Sequence, residues 1–237
     1  MKMKQNNATL ILASEIYKAY KEGSFLNVII FGKQGAGKTT YALRVAKEVL
    51  KMIDKNLDEQ TAWEKALSYL AFNVREALQK LAIIVELHKQ GHIDSRLPLL
   101  IMDDASIDLI KYNWYDKENQ EFFKLNVLAR TWVSAIIYTS PMMSDISKFL
   151  REKGWMVVKI TRNGGYKDTE SVAKLYGRVI KLNKQHTDFV GRYKPIAIDR
   201  FTRRMPDRIY EEYMRKRNRV MVSIAERLLQ SEENSLV

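Results

Sequence analysis

A parallel β-sheet covered by helices and extended at one edge by antiparallel strands is the fold class this sequence predicts. Three observations lead there. Short β-branched runs alternate with helical stretches from residue 8 to residue 162, the pattern of a helix-covered α/β sheet. One of those runs, residues 27–31, passes directly into "GKQGAGKTT" and then a helix. Beyond residue 162 the alternation stops, and two long strand-like runs follow the turn signal "NGG" with no helix between them.

Each element has its own warrant. A helix over 8–21 ends near Gly23, and the buried strand 27–31 follows. Leu43, Ala46, Val49, Leu50 and Ile53 recur at helical spacing in a helix over 37–53. "LDEQTAWEKALSYL" is a second helix, followed by a short strand at 69–72. Asn73 caps a third helix that runs to Lys89 before Gly91. Pro98 opens the strand 99–102. "KYNWYDKENQ" separates it from a helix over 120–130, and the strand "WVSAIIYTS" is stopped by Pro141. A helix over 144–153, the strand "WMVVKITR", the strands "SVAKLYGRVIKL" and "DFVGRYKPIAIDRF", and a last helix from Pro206 to the polar tail complete the chain.

The 237 residues suffice for a substantial core. They divide into a core with an N-terminal helix, 1–162, and a basic extension with a C-terminal helix, 163–237, expected to pack together as one domain. The absence of cysteine excludes disulfides, thiolate zinc sites and cysteine nucleophiles, and suits a reducing compartment. No apolar run reaches the roughly 18 residues that span a membrane, and the N-terminus lacks a signal peptide's apolar region. A cytoplasmic protein with no membrane partner is the expectation.

Charge is unevenly placed. Residues 1–147 carry 19 Lys+Arg against 17 Asp+Glu, whereas 148–220 carry 20 against 8. A cluster of that kind favours phosphate backbones, and the segment interleaves its cations with Tyr166, Tyr176, Tyr193 and Phe201, rings able to stack on bases. DNA, bound without sequence preference through 148–220, is the expected partner. In "YEEYMRKRNR", Arg215, Lys216, Arg217 and Arg219 lie on a helix. Tyr112, Trp114 and Tyr115 are candidates for contacts to DNA or to a second subunit. His88, His92 and His186 lack companions at metal-ligand spacing.

"GKQGAGKT" satisfies G-x-x-x-x-G-K-[ST] at every required position. Glycines let such a loop turn its amides inward, and the following helix adds its positive end. Gly32, Lys33, Gln34, Gly35, Ala36, Gly37, Lys38, Thr39 and Thr40 are therefore the expected phosphate-binding residues, with ATP and Mg²⁺ as cofactors. Lys38 would reach the β- and γ-phosphates, Thr39 would place its hydroxyl on Mg²⁺, and Thr40 would lie near a phosphate.

Such a loop needs an acid at the end of a neighbouring strand. The apolar run "LLIM" ends on Asp103, 65 residues after Lys38, which would hold Mg²⁺ through water. Asp104 would orient or deprotonate the attacking water, with capping of the next segment as the alternative role. The strand ending "IIYTSP" brings Thr139 or Ser140 to the carboxyl edge of the sheet, where ligands of open α/β sheets bind. Arg130 and Arg162 are the candidates for an arginine that meets a γ-phosphate across a subunit boundary, in a homo-oligomer whose assembly would depend on ATP. The fold class is thus an additional-strand P-loop NTPase of RecA/AAA+ type, with an antiparallel extension and a final helix.

The order "FGKQGAGKTTYAL", "LLIMDDAS", "NQEFFKLNVLARTWVSAIIYTSPMMSDI" resembles the core of DnaA-type AAA+ ATPases. The chain more closely resembles the DnaA-like ATPases of archaeal spindle-shaped viruses (fuselloviruses) and related mobile elements, through "IIFGKQGAGKTTYALRVAKEV", "REKGWMVVKITRNG" and "MPDRIYEEYMRKR". The resemblance covers residues 8–220. It implies an ATPase in replication or maintenance of a mobile genome, with Lys38 and Thr39 as Walker A, Asp103 and Asp104 as Walker B, and Thr139 as sensor 1. It extends neither to a helix-turn-helix nor to a helical lid, because strands occupy that stretch. The functions to weigh are an initiator or helicase loader, a DNA-packaging or transfer translocase, and an ATP-dependent protein-binding switch.

Overall fold

The computed structural model describes residues 4–5, 9–104, 120, 126, 129–163, 169–182 and 189–235. Eight strands form one sheet: β1 (Lys4–Gln5), β2 (Leu26–Phe31), β3 (Leu70–Ala71), β4 (Leu100–Met102), β5 (Ala135–Ser140), β6 (Met156–Arg162), β7 (Glu170–Leu182) and β8 (Phe189–Thr202). Their order is β1-β8-β7-β6-β2-β5-β4-β3. From β6 to β3 all neighbours are parallel; β7 and β8 join β6 as an antiparallel extension.

Burial on both faces explains why the central strands read as unbroken apolar runs. Val28, Ile29 and Ile30 of β2 and every residue of β5 are buried. Alternate strand residues (Ile29, Leu100, Met102, Ile136, Tyr138 and Val157) pack with Val74, Ala77 and Leu81 of α4 (Val74–Lys89) and Leu150 of α5 (Lys148–Lys153). The intervening residues point to the opposite face, which α1 (Ile11–Lys21) and α2 (Lys38–Ile53) cover, with α3 (Glu59–Ser68) against α2.

Helix starts follow local chemistry where the sequence supplies it. Asp58 accepts the Thr61 N–H at 2.9 Å, and Asn73 accepts the Glu76 N–H at 2.8 Å. α1 has no such residue, and a distant acid does the work. Asp199 of β8, fully buried, accepts the N–H groups of Ile11 and Leu12 at 2.8 and 3.3 Å and the Tyr41 hydroxyl at 2.5 Å. Burial raises the Asp199 carboxyl above its ordinary range, and these bonds oppose that rise.

Several expected elements differ in detail. The helix expected over 144–153 is a 3-10 turn, Met143–Asp145, then extended backbone at Ile146, then α5. The break lets the Ile146 side chain, fully buried, enter the core. The strands expected at 99–102 and 132–140 begin at Leu100 and Ala135, the latter preceded by a single bridge between Val133 and Leu97. Of the helix expected over 120–130, Gln120 and Asn126 are helical and Ala129–Thr131 is a 3-10 turn; its other residues lie outside the described ones. The last helix, α6 (Asp207–Ser235), does not stop at the polar tail, because Glu, Gln, Leu and Arg are good helix formers and polarity alone ends no helix. Residues 1–204 and 205–237 form two compact units. No helix among the described residues is long and apolar enough to cross a membrane.

Candidate nucleotide site

The sheet order positions the site. β2 ends where the loop 32–37 begins, α2 starts at Lys38, and β5 lies between β2 and β4. One interposed strand between the loop-bearing strand and the acid-bearing strand defines the additional-strand class of P-loop NTPase fold, to which the chain conforms.

The loop is held close against the sheet. A side chain at Gly32 would place its Cβ 2.4 Å from the Ile160 carbonyl oxygen, so β6 admits only glycine there. Gly37 takes φ +94°, and a Cβ would meet the Arg203 stem at 2.8 Å. Lys38 is buried, its ammonium donating to the carbonyls of Gly32 and Lys33 at 3.0 and 3.3 Å. Lys33, Gln34 and Gly35 form the exposed crest, while Ala36 and Thr40 are buried beneath it.

The acidic pair is bound into the same cluster. Asp103 is 1% exposed. One of its oxygens, Oδ1, accepts both the Thr39 hydroxyl and the Thr139 hydroxyl, each at 2.7 Å. Thr139, fully buried, in turn accepts the Asp104 N–H at 2.9 Å. Asp104 has φ +47°, the only non-glycine residue with positive φ among the described residues. That left-handed conformation costs about 1–2 kcal/mol for a residue with a Cβ, and the bond to Thr139 helps to hold it. Ser140 turns away and donates to the Met142 carbonyl at 2.8 Å, so of the two candidate hydroxyls only Thr139 reaches the acids.

The two arginines part company. Arg162, at the carboxyl end of β6, donates through Nε and Nη2 to the Gly35 carbonyl at 3.2 and 3.1 Å, on the loop of its own chain. Arg130 precedes β5 and donates to the Gly23 carbonyl at 3.0 Å, at the opposite edge of the sheet. Three further residues reach the loop from the extension: Ser171 donates to the Ala36 carbonyl at 2.9 Å, Arg203 donates to Ser171 Oγ at 3.0 Å, and Phe201 packs on Gly37. Sequence reasoning missed these, since nothing local marks a contact between residues 135 apart.

Some expected base-stacking rings are engaged elsewhere. Phe201 is buried beside Tyr41, ring centroids 4.9 Å apart, and so cannot stack on a base. The Tyr193 hydroxyl donates to the carbonyls of Arg151 and Gly154, and Tyr176 packs against the core. Tyr112, Trp114, Tyr115, Tyr166 and His186 lie outside the described residues. His88 hydrogen-bonds the Ser95 carbonyl, and no group of three or more His, Cys, Asp or Glu able to hold a metal occurs among the described residues.

The donor set fits magnesium nucleotide. A buried carboxylate oxygen 2.7 Å from a threonine hydroxyl supplies hard oxygen donors for one side of the ion. Mg²⁺ commonly takes its remaining ligands from phosphates and water rather than from an all-protein cage. The glycine loop and the Lys38 ammonium above it suit the phosphates themselves.

No family model matches the chain. Protein B-251 of Sulfolobus spindle-shape virus 1 is 41% identical over 219 residues, 92% of this chain and 83% of that protein. Protein ORF286 of Acidianus two-tailed virus is 28% identical over 135 residues, 56% of this chain and 42% of that one. Among solved structures, the genome packaging NTPase B204 of Sulfolobus turreted icosahedral virus 2 is 14% identical, with 73% of this chain and 98% of that chain covered and a TM-score of 0.40. A score of that size leaves the fold to rest on the strand order.

Proposed function

The chain belongs to the family of protein B-251 of Sulfolobus spindle-shape virus 1, and on that premise we propose that it is a Mg²⁺-dependent ATPase acting on the DNA of an archaeal virus or related element. One observation carries this: Asp103 Oδ1 joins the Thr39 hydroxyl, in the first turn of α2 just after the phosphate loop, to a hydroxyl from β5, with Asp104 held beside them.

Each residue then has a task. The loop 32–37 and Lys38 hold the triphosphate, the ammonium neutralising β- and γ-phosphate oxygens. Thr39 and, through water, Asp103 would hold Mg²⁺, which when bound draws charge from the phosphate oxygens. Asp104 orients the attacking water and accepts its proton. Thr139 is a positioning residue, because it fixes both acids at once. Arg162, bonded at the crest of the loop, and Arg203, whose stem lies against Gly37, add positive charge from β6 and from the end of β8. In a homo-oligomer, Arg130 would face a neighbour's nucleotide rather than its own.

Two uses of this chemistry remain in view: remodelling DNA as an initiator or helicase loader, and moving DNA as a packaging or transfer motor. The antiparallel strands β7 and β8, which continue the sheet where an initiator would carry a helical lid, favour the motor. Displacement of a roadblock from duplex DNA in an ATP-dependent, directional manner is the expected result. ATP-dependent assembly on DNA without displacement would return the assignment to the initiator class.

A further inference from the structure

β6 begins at Met156, opposite Gly177 of β7, but β7 does not stop there. Arg178–Leu182 continue past the amino edge of the sheet, paired with Phe189–Tyr193 of β8. The Arg178 N–H still bonds the Trp155 carbonyl at 2.9 Å, so the four residues beyond it, at about 3.4 Å each, make a two-stranded ribbon reaching about 14 Å past the sheet. The described ribbon and its root at Lys194 carry Arg178, Lys181, Arg192 and Lys194 and no acid.

The register sorts these cations. Gly177 pairs with Lys194, Val179 with Arg192 and Lys181 with Val190, so Lys181, Arg192 and Lys194 share one face, and all three are exposed. Arg178, on the other face, crosses Gly191 and donates to the Glu152 carbonyl at the end of α5, bracing the ribbon to the body. A Cβ at position 191 would lie 2.5 Å from Arg178 Nε, so glycine is what permits that crossing. Exposed Lys153 and Arg130 stand along the same edge, before β6 and β5, with Arg96 bonded to the Ser24 and Val133 carbonyls.

We infer that this ribbon, at the amino edge of the sheet and opposite the phosphate loop, is the element that docks on duplex DNA. The inference rests on the reading of the protein as a DNA-directed ATPase and assigns the DNA face. A two-stranded ribbon is the β-structure that a B-DNA major groove, about 12 Å wide, admits. Three cations on one face without an acid match the phosphates lining such a groove. The same strands connect the two sites: β7, β8 and the residue after β8 touch the phosphate loop through Ser171, Phe201 and Arg203 at one end, and β7 and β8 form the ribbon at the other.

The test is the affinity of the full chain for a short fluorescent duplex, measured across a salt series beside a single strand of the same sequence. The variant is Lys181→Glu/Arg192→Glu/Lys194→Glu. Lys65→Glu, on an exposed position of α3, controls for a single charge reversal away from the ribbon, and Lys181→Ala/Arg192→Ala is a milder second variant. The triple variant should lose at least about tenfold in duplex affinity, and its log–log salt slope should flatten by about 3 units, one per lost phosphate contact. Binding of a fluorescent ATP analogue and the melting temperature should be unchanged. If both ribbon variants bind the duplex as the unmodified protein does, the ribbon is not the DNA face, although the DNA reading stands. If the unmodified protein binds no DNA even at low salt, both fall. Loss of single-strand binding alone, or loss of self-association alone through exposed Ile180 and Leu182, also overturns the inference.

Discussion

The two edges of the sheet are built in opposite ways from the same strands. At the carboxyl edge, the acid and the loop lysine are buried and bonded: Asp103 is 1% exposed and accepts two hydroxyls, and Lys38 is folded onto the loop carbonyls. At the amino edge, the described strands of the ribbon expose Lys181, Arg192 and Lys194 on one face and carry no acid. A chemical step needs groups fixed in place, so its edge is closed and preorganised. On the proposed reading, a polymer of phosphates needs reach and long-range attraction, which an exposed basic ribbon at the other edge would supply.

That contrast can be broken most severely at the closed edge. Lys38→Ala should abolish ATP turnover and weaken nucleotide binding at least about a hundredfold, read by titration with a fluorescent analogue, because Lys38 is the one buried lysine or arginine among the described residues and lies on the loop. Asp104→Asn should leave nucleotide binding intact and cut turnover by about 10² or more in a phosphate-release assay. Asp104→Gly should cut turnover equally while its melting temperature stays level or rises, since glycine takes φ +47° without strain. A fall in melting temperature with retained turnover would make Asp104 a structural cap instead.

Thr139→Ala sharpens the comparison further. It removes the hydroxyl that accepts the Asp104 N–H and donates to Asp103, so stability should drop by about 1–3 kcal/mol and turnover should fall, whereas Thr139→Ser should keep both. Retained turnover in Thr139→Ala would remove its positioning role.

The smallest effect lies away from both edges. Lys47 and Lys51 donate to Glu59, holding its carboxyl down to about 2. A lowered carboxylate contributes stability above its ordinary value, and the contribution is lost as pH falls towards about 2. Glu59→Gln should therefore lower the melting temperature at neutral pH but not at the acid limit. The loss should stay below about 1 kcal/mol, because the Glu59 carboxylate is more than half exposed and screened by water.

Much of the closed edge was legible in the sequence because its signals are local. The loop, its helix and the apolar run ending on Asp103 each announce themselves within a few residues, and strand–helix alternation supplied the sheet. What sequence could not supply depends on tertiary distance. Asp199 capping α1, and Ser171 and Arg203 on the loop, join residues more than a hundred positions apart. The sequence already pointed to Thr139 over Ser140; what it lacked was the reason, the turn that sends the Ser140 hydroxyl to the Met142 carbonyl. The place of Arg130 was within reach, since a residue preceding a parallel strand lies at the amino edge while Arg162, ending one, lies at the loop. β1, two residues long, is too short to leave a pattern.

The most direct test of the central claim is phosphate release from Mg-ATP with and without duplex DNA, at a salt concentration where the DNA is bound. Turnover that rises with DNA, requires Mg²⁺ and disappears in Lys38→Ala is the predicted result. Turnover that ignores bound DNA, or that survives loss of Lys38, would contradict the account.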